Sequence, residues 1–181
     1  MKKLATVATL AILTASSVSA EGFYVGAGIS QERIKGSGPV SFKSTNAIAL
    51  IGYDINDMIS VEAETSLPVS KTSFAGANIS VKHTAVHLKF TLPTSGSFKP
   101  FARAGMTKGT YKAEVISSGD YDYKVNDTVF SYGIGAEWAM SEKFGLRVDY
   151  SMMEMSDDGL LQDDGPPADV EVLALSSVYR F

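Results

Sequence analysis

Apolar and polar residues alternate with a period of two along eight stretches of this chain, near residues 22–33, 44–54, 58–66, 81–92, 99–111, 128–140, 144–153 and 169–181. That period places successive side chains on opposite faces of a β-strand, so eight strands are predicted. Their connectors go long, short, long, short. Short turns fall at 54–57, 93–98 and 141–143, where Asn56-Asp57 and Ser95-Gly96 supply turn chemistry. Long loops fall near 34–43, 67–80, 112–127 and 154–168. No helix-period stretch, linker or second domain interrupts the series.

The two faces differ sharply. One carries Val25, Ala27, Ile29, Ile51, Tyr53, Val61, Val86, Leu88, Phe90, Tyr132, Ile134, Trp138, Leu146, Val148, Tyr150, Leu173, Leu175, Tyr179 and Phe181. The other carries Glu62, Glu64, His83, His87, Lys89, Arg103, Glu137, Arg147, Asp149 and Arg180, interleaved with Gly26, Gly28, Gly52, Gly105, Gly133, Gly135 and several serines. A soluble lipocalin-like barrel also alternates, with its apolar face inward. Three features favour the inverse. Glycine and serine crowd the charged face, as a narrow eight-stranded interior requires. Aromatics of the apolar face (Tyr53, Phe90, Trp138, Phe144, Tyr150) gather towards strand ends, as an interfacial girdle would. The loop lengths are strongly asymmetric. The reading is an all-β, eight-stranded, antiparallel up-and-down transmembrane barrel, because a bilayer admits only helices and closed barrels.

Composition sharpens the setting. Residues 1–20 have the parts of a secretory leader: Lys2 and Lys3, an apolar run over 4–13, then Val18-Ser19-Ala20. Cleavage there leaves 181 − 20 = 161 residues, one barrel domain over 21–181, and moves the formal charge from −4 to −6. No basic patch suggests nucleic acid. There are no cysteines, so stability must come from burial and a closed hydrogen-bond ladder.

Several motifs together resemble the small eight-stranded barrels of the bacterial outer membrane, the OmpA transmembrane domain and the opacity-type, porin-like surface proteins that include neisserial surface protein A. They are Tyr24-Val25-Gly26-Ala27-Gly28, the run Gly52-Tyr53-Asp54-Ile55-Asn56-Asp57, Lys99-Pro100-Phe101, Leu146-Arg147-Val148-Asp149-Tyr150 and the ending Val178-Tyr179-Arg180-Phe181. The resemblance implies an outer-membrane location and a monomer in contact with lipid and lipopolysaccharide. It also implies that a closing strand with Tyr179 and Phe181 is read by the barrel-assembly machinery. No peptidoglycan-binding region follows Phe181, so a cell-wall tether is not expected.

The charged face is the candidate for chemistry. Glu62, Glu64, Glu137 and Asp149 balance Lys89, Arg103, Arg147 and Arg180, and buried charges must be paired. Neighbouring strands predict Glu62 or Glu64 with Lys89, and Arg103 with Glu137. A salt-bridged plug follows; a gate whose pairs exchange partners, making a narrow porin-like channel for ions or small solutes, is the alternative. His83 and His87, four apart on a strand, lie roughly 13 Å apart, too far to share an ion, and no metal or cofactor is expected. A lipid A-modifying barrel enzyme would need a histidine beside a serine and a carboxylate, and no sequence motif supplies one. The expectation is a non-enzymatic surface protein. Its loops, with Arg33, Lys35 and Lys43 in the first, Tyr111, Tyr121 and Tyr123 in the third, and Glu154, Asp157, Asp158, Asp163 and Asp164 in the last, would meet a host, another extracellular ligand or lipid.

Overall fold

The computed structural model describes residues 22–35, 41–70, 72–74, 77–115, 122–154 and 169–181. The leader, Tyr121 and the acids Asp157, Asp158, Asp163 and Asp164 lie outside them. Among the described residues nine strands run in chain order: β1 (Phe23–Lys35), β2 (Ser41–Asp54), β3 (Ile59–Pro68), β4 (Thr72–Phe74), β5 (Ala77–Thr91), β6 (Phe98–Val115), β7 (Asp122–Ala139), β8 (Phe144–Glu154) and β9 (Asp169–Arg180). Eight of them close into an all-antiparallel barrel. Each long strand pairs with its neighbour in sequence, β3 pairs with β5, and β9 returns to β1 over Tyr24↔Arg180 to Lys35↔Asp169. Closure leaves no sheet edge within the wall, so the ladder satisfies the backbone where lipid cannot.

The ninth strand is a correction. Residues 72–74, expected within a loop, fold back on Ala77–Ile79 of β5 as a short hairpin. The third hairpin also runs further than its predicted limits of 111 and 128, since β6 and β7 stay paired to Glu114↔Asp122. Tyr111 and Tyr123 are therefore ladder positions, not loop positions. Beyond the bilayer both faces of a strand are wet, and the alternation that marks a strand fades there.

The short turns follow from their side chains. Asn56 Oδ1 accepts from the amides of Met58 and Ile59, at 2.9 and 2.8 Å. Thr94 Oγ1 donates to the Phe98 carbonyl at 2.6 Å, and Ser141 Oγ accepts from the Phe144 amide at 3.0 Å. Such local bonds imitate the backbone and end a ladder cleanly.

Burial is inverted relative to a soluble barrel. Ile134 is 66 % exposed, whereas Arg147 is 1 % exposed. The apolar face is the outer wall. At its periplasmic rim aromatics meet in cross-strand pairs, Phe23↔Tyr53, Phe98↔Trp138 and Phe144↔Tyr179, with Tyr179 and Phe181 edge-to-face at 5.3 Å. Phe90, opposite Ile59, lies just above them. Tyr150 departs from the expected girdle: six residues up β8 from Phe144 and opposite Ile134, it sits in the middle of the wall.

Candidate functional site: the charged interior

Inward positions of the strands converge in a narrow lumen, and the side chains fill it. At the periplasmic mouth Arg180 pairs through both Nη atoms with the Glu137 carboxylate, and its Nε lies 3.6 Å from Asp54. Asp54 is held in turn by Ser60 Oγ at 2.6 Å.

Above this pair Glu62 is the hub. Its Oε1 accepts from Tyr24 Oη at 2.6 Å and from Arg147 Nη1 at 2.6 Å, while Oε2 accepts from Arg147 Nη2 at 3.0 Å. Lys89 Nζ lies 3.0 Å from the same carboxylate and donates to Tyr24 Oη at 2.8 Å. Two rings serve as platforms. Lys89 stands 4.5 Å from the centroid of Tyr24, and Arg147 stands 4.4 Å from that of Phe101. Each ring lies over a glycine directly opposite it in the ladder, Tyr24 over Gly52 and Phe101 over Gly135, where any Cβ would collide with ring atoms. The glycines therefore supply the depth that lets an aromatic ring lie flat inside so thin a barrel.

The network then climbs. Arg147 Nε lies 3.3 Å from Asp149, and Asp149 lies 2.5 Å from Arg103 Nη2. Arg103 Nη1 donates to Glu64 Oε2 at 2.9 Å, and its Nε and Nη2 donate to Ser151 Oγ at 3.2 and 2.7 Å. Glu64 Oε1 meets His83 Nε2 at 3.0 Å, and His83 Nδ1 meets Glu32 Oε1 at 2.9 Å. Asn46 Nδ2 donates to Glu32 Oε1 at 2.5 Å. His83 therefore bridges two acids, and its Nδ1 also lies 2.9 Å from Ser66 Oγ. Glu32 thus raises the buried acids from four to five, with His83 between two of them.

The ten residues assigned to the interior from sequence are all there, but their partners were only partly foreseen. Lys89 does pair with Glu62. Arg103 does not pair with Glu137: it joins Glu64 and Asp149, and Glu137 joins Arg180. Arg103 stands opposite Gly133, and Glu137 is four residues further along β7, roughly 13 Å away. In so narrow a lumen a guanidinium reaches across to non-adjacent strands more readily than down its neighbour. Tyr24, Glu32 and Phe101 were not picked out, although each shares the parity of inward residues on its own strand (Gly26, Ser30 and Arg103). His87 forms a separate contact, Nε2 to Ser131 Oγ at 2.9 Å, with Thr107 Oγ1 2.7 Å from the same hydroxyl. Its Nδ1 is buried with no hydrogen-bond partner among the described residues, so no carboxylate orients the ring.

Towards the extracellular end the polar network gives way on one side to an apolar layer of Val129, Met153, Val170 and Val172, each buried. On the opposite side Ser44, Asn46 and Ser66 close over Glu32 and His83.

The sequence matches the family model described as outer membrane protein beta-barrel domain over residues 4–181. The chain belongs to this family. It is a bacterial outer-membrane protein. Among solved structures it is similar to neisserial surface protein A, with a TM-score of 0.68 at 17 % identity, covering 91 % of this chain and 100 % of that one. Ail, the attachment invasion locus protein of Yersinia pestis, gives 0.63 at 17 % identity over 89 % and 99 %. It has also been solved with the heparin analogue sucrose octasulfate. Outer membrane protein W of E. coli gives 0.56 at 18 % identity over 91 % and 100 %. No curated protein matches the sequence. At these identities the structures share the fold of the chain, and its chemistry must be argued from its own residues.

Proposed function

We propose that the protein is a non-enzymatic outer-membrane scaffold: a plugged barrel that holds its extracellular loops in place for contact with a ligand, a host surface or the neighbouring envelope. The observation that supports this reading is the continuous chain of ion pairs from Lys89 through Glu62, Arg147, Asp149, Arg103, Glu64 and His83 to Glu32, with the separate Arg180–Glu137 pair below it and the apolar layer above. A path for ions would have to part several buried pairs together, and each parted pair leaves a charge out of water at a cost of several kcal/mol. The extracellular contact is the part of the reading that the heparin-analogue complex of Ail supports by likeness. The leader over 1–20 is removed on export, and the assembly machinery reads the closing strand through Tyr179 and Phe181. The protein works as a monomer without cofactor.

The test is planar-bilayer recording on the refolded chain beside Arg103→Glu, with folding checked by heat-modifiable gel migration. The native chain is expected to be silent. Steady single-channel steps in the native chain that shift in the variant would replace the scaffold with a gated pore. The loop role is tested separately by deleting residues 155–168 and measuring binding to a sulfated glycan surface. Unchanged binding by both folded forms would remove that loop from the proposal. Ser131–His87 lacks a carboxylate, and Ser66–His83, beside Glu32 and Glu64, is buried among the interior ion pairs, so an enzyme reading has little support. Unaltered lipid A in a heterologous outer membrane expressing the chain is the expected result.

A further inference from the structure

The outer wall is not evenly convex. Across β5, β6, β7 and β8 a groove of about 740 Å³ opens towards the bilayer, with Ala102 and Ala104 as its floor and Leu88, Phe90, Ile134 and Tyr150 among its walls. The register explains the hollow: Phe90↔Ala102, Leu88↔Ala104 and Ala102↔Ile134 set two small side chains between bulky ones on both neighbouring strands. The same strands turn cationic just above it. Lys108 follows Met106 on the outward face of β6, and Lys82 follows Thr84 on β5. Thr84 pairs with Lys108 and Lys82 with Thr110, so the two lysines are diagonal neighbours, both exposed. One step higher Lys112 stands opposite Lys124, and Glu114 stands opposite Asp122 beyond them. The far side of the barrel differs. There Arg33 stands opposite Lys43, but Glu171 and Asp169 occupy the corresponding end of β9, and Glu171 lies 4.0 Å from Arg33.

Depth places these lysines at a membrane surface. From Phe98 in the periplasmic aromatic rim to Lys108 is ten residues of β6, roughly 33 Å of strand, or about 25 Å of height at the usual tilt. That is the height of an apolar band, so Lys108 and Lys82 stand at the outer-leaflet headgroups. Ala104 lies four residues below Lys108, roughly 10 Å deeper, within reach of an acyl chain hanging from that level.

We infer that this face is a site for one phosphorylated, multiply acylated glycolipid of the outer leaflet, its phosphate held by Lys82 and Lys108 and an acyl chain laid in the Ala102–Ala104 groove. This rests on the outer-membrane reading and specifies its envelope contact; it does not depend on whether the barrel conducts. A compact ammonium is a point-charge phosphate partner, and a juxtamembrane cation near an anionic surface contributes about a fivefold gain in binding.

The experiment titrates the purified full-length barrel in neutral detergent with a bis-phosphorylated, acylated glucosamine disaccharide, its dephosphorylated form, and inorganic phosphate, reading bound species by native mass spectrometry. The phosphorylated lipid should bind best. Lys82→Gln with Lys108→Gln should weaken it about 30-fold, the two contributions combined. Ala104→Trp, which fills the groove from the lipid side without touching the interior, should weaken it at least tenfold while leaving heat-modifiable migration unchanged. Equal binding of the dephosphorylated lipid, or no loss in the lysine variant, would overturn the site as mere apolar adsorption. Loss in the lysine variant alone, or binding of inorganic phosphate as tight as that of the lipid, would overturn the groove's part. Bilayer silence or conductance tests the scaffold independently, so the two failures are distinguishable.

Discussion

Arg147→Met isolates the interior network most sharply. In the native barrel Arg147 makes a two-pronged contact with Glu62, touches Asp149 and stacks on Phe101. Removing one partner of a buried pair costs about 3–5 kcal/mol, because the other charge stays out of water. Here Glu62 keeps Lys89 and Tyr24, and Asp149 keeps Arg103, so the lower end, about 3 kcal/mol, is expected. Of that, about 1 kcal/mol belongs to the lost stacking on Phe101. Adding Asp149→Asn removes the excess charge while Glu62 keeps Lys89 and Arg103 keeps Glu64. The double variant should therefore recover about 2 kcal/mol and retain only the stacking loss. The assay is reversible urea unfolding in phospholipid vesicles, read by the single tryptophan, Trp138, which faces lipid and is 62 % exposed. A single variant within about 0.5 kcal/mol of the native chain, or a double variant no more stable than the single, would refute the view that paired charge holds this interior.

The same unfolding assay checks three further expectations. Gly52→Ala and Gly135→Ala each push a methyl into the ring opposite and should cost about 1–3 kcal/mol, whereas Gly96→Ala, in open space, should be near neutral. His83→Leu leaves Glu64 to Arg103 and strips Glu32 of its ion-pair partner among the described residues, and should cost about 3 kcal/mol; a loss below about 1 kcal/mol would mean that His83 does not bridge two carboxylates. Ile134→Arg, at mid-wall, should cost about 2–4 kcal/mol, and Trp138→Arg, at the rim, about 1 kcal/mol or less; equal costs would contradict the placement of the barrel in the bilayer.

The wall could be read almost directly from the sequence, because a period of two with apolar residues on one side leaves only two barrels to choose between. Glycines on the charged side decided which. The partners inside could not be read in the same way. Pairing across a lumen depends on strand stagger and on side-chain reach, so Arg103 passed over its neighbour's Glu137 for Glu64 and Asp149. Glu32 escaped notice because it lies near the end of β1, among polar residues of both faces, although its parity marked it. The β4 hairpin and the upper halves of β6 and β7 lie where water is available on every side, and there the sequence carries no pattern to distinguish strand from loop.

The central interior contact ties residues 85 positions apart, Glu62 of the third strand to Arg147 of the eighth. The central pair divides any two halves of this chain: a fragment ending before β8 would hold Glu62 without its guanidinium, and one beginning after β3 would hold Arg147 with Asp149 but without Glu62. A partial sheet thus has an energetic reason not to settle in the bilayer as an independent unit. The charge pattern acts as a completeness check on biogenesis, favouring insertion of the whole cylinder over stepwise accumulation of hairpins.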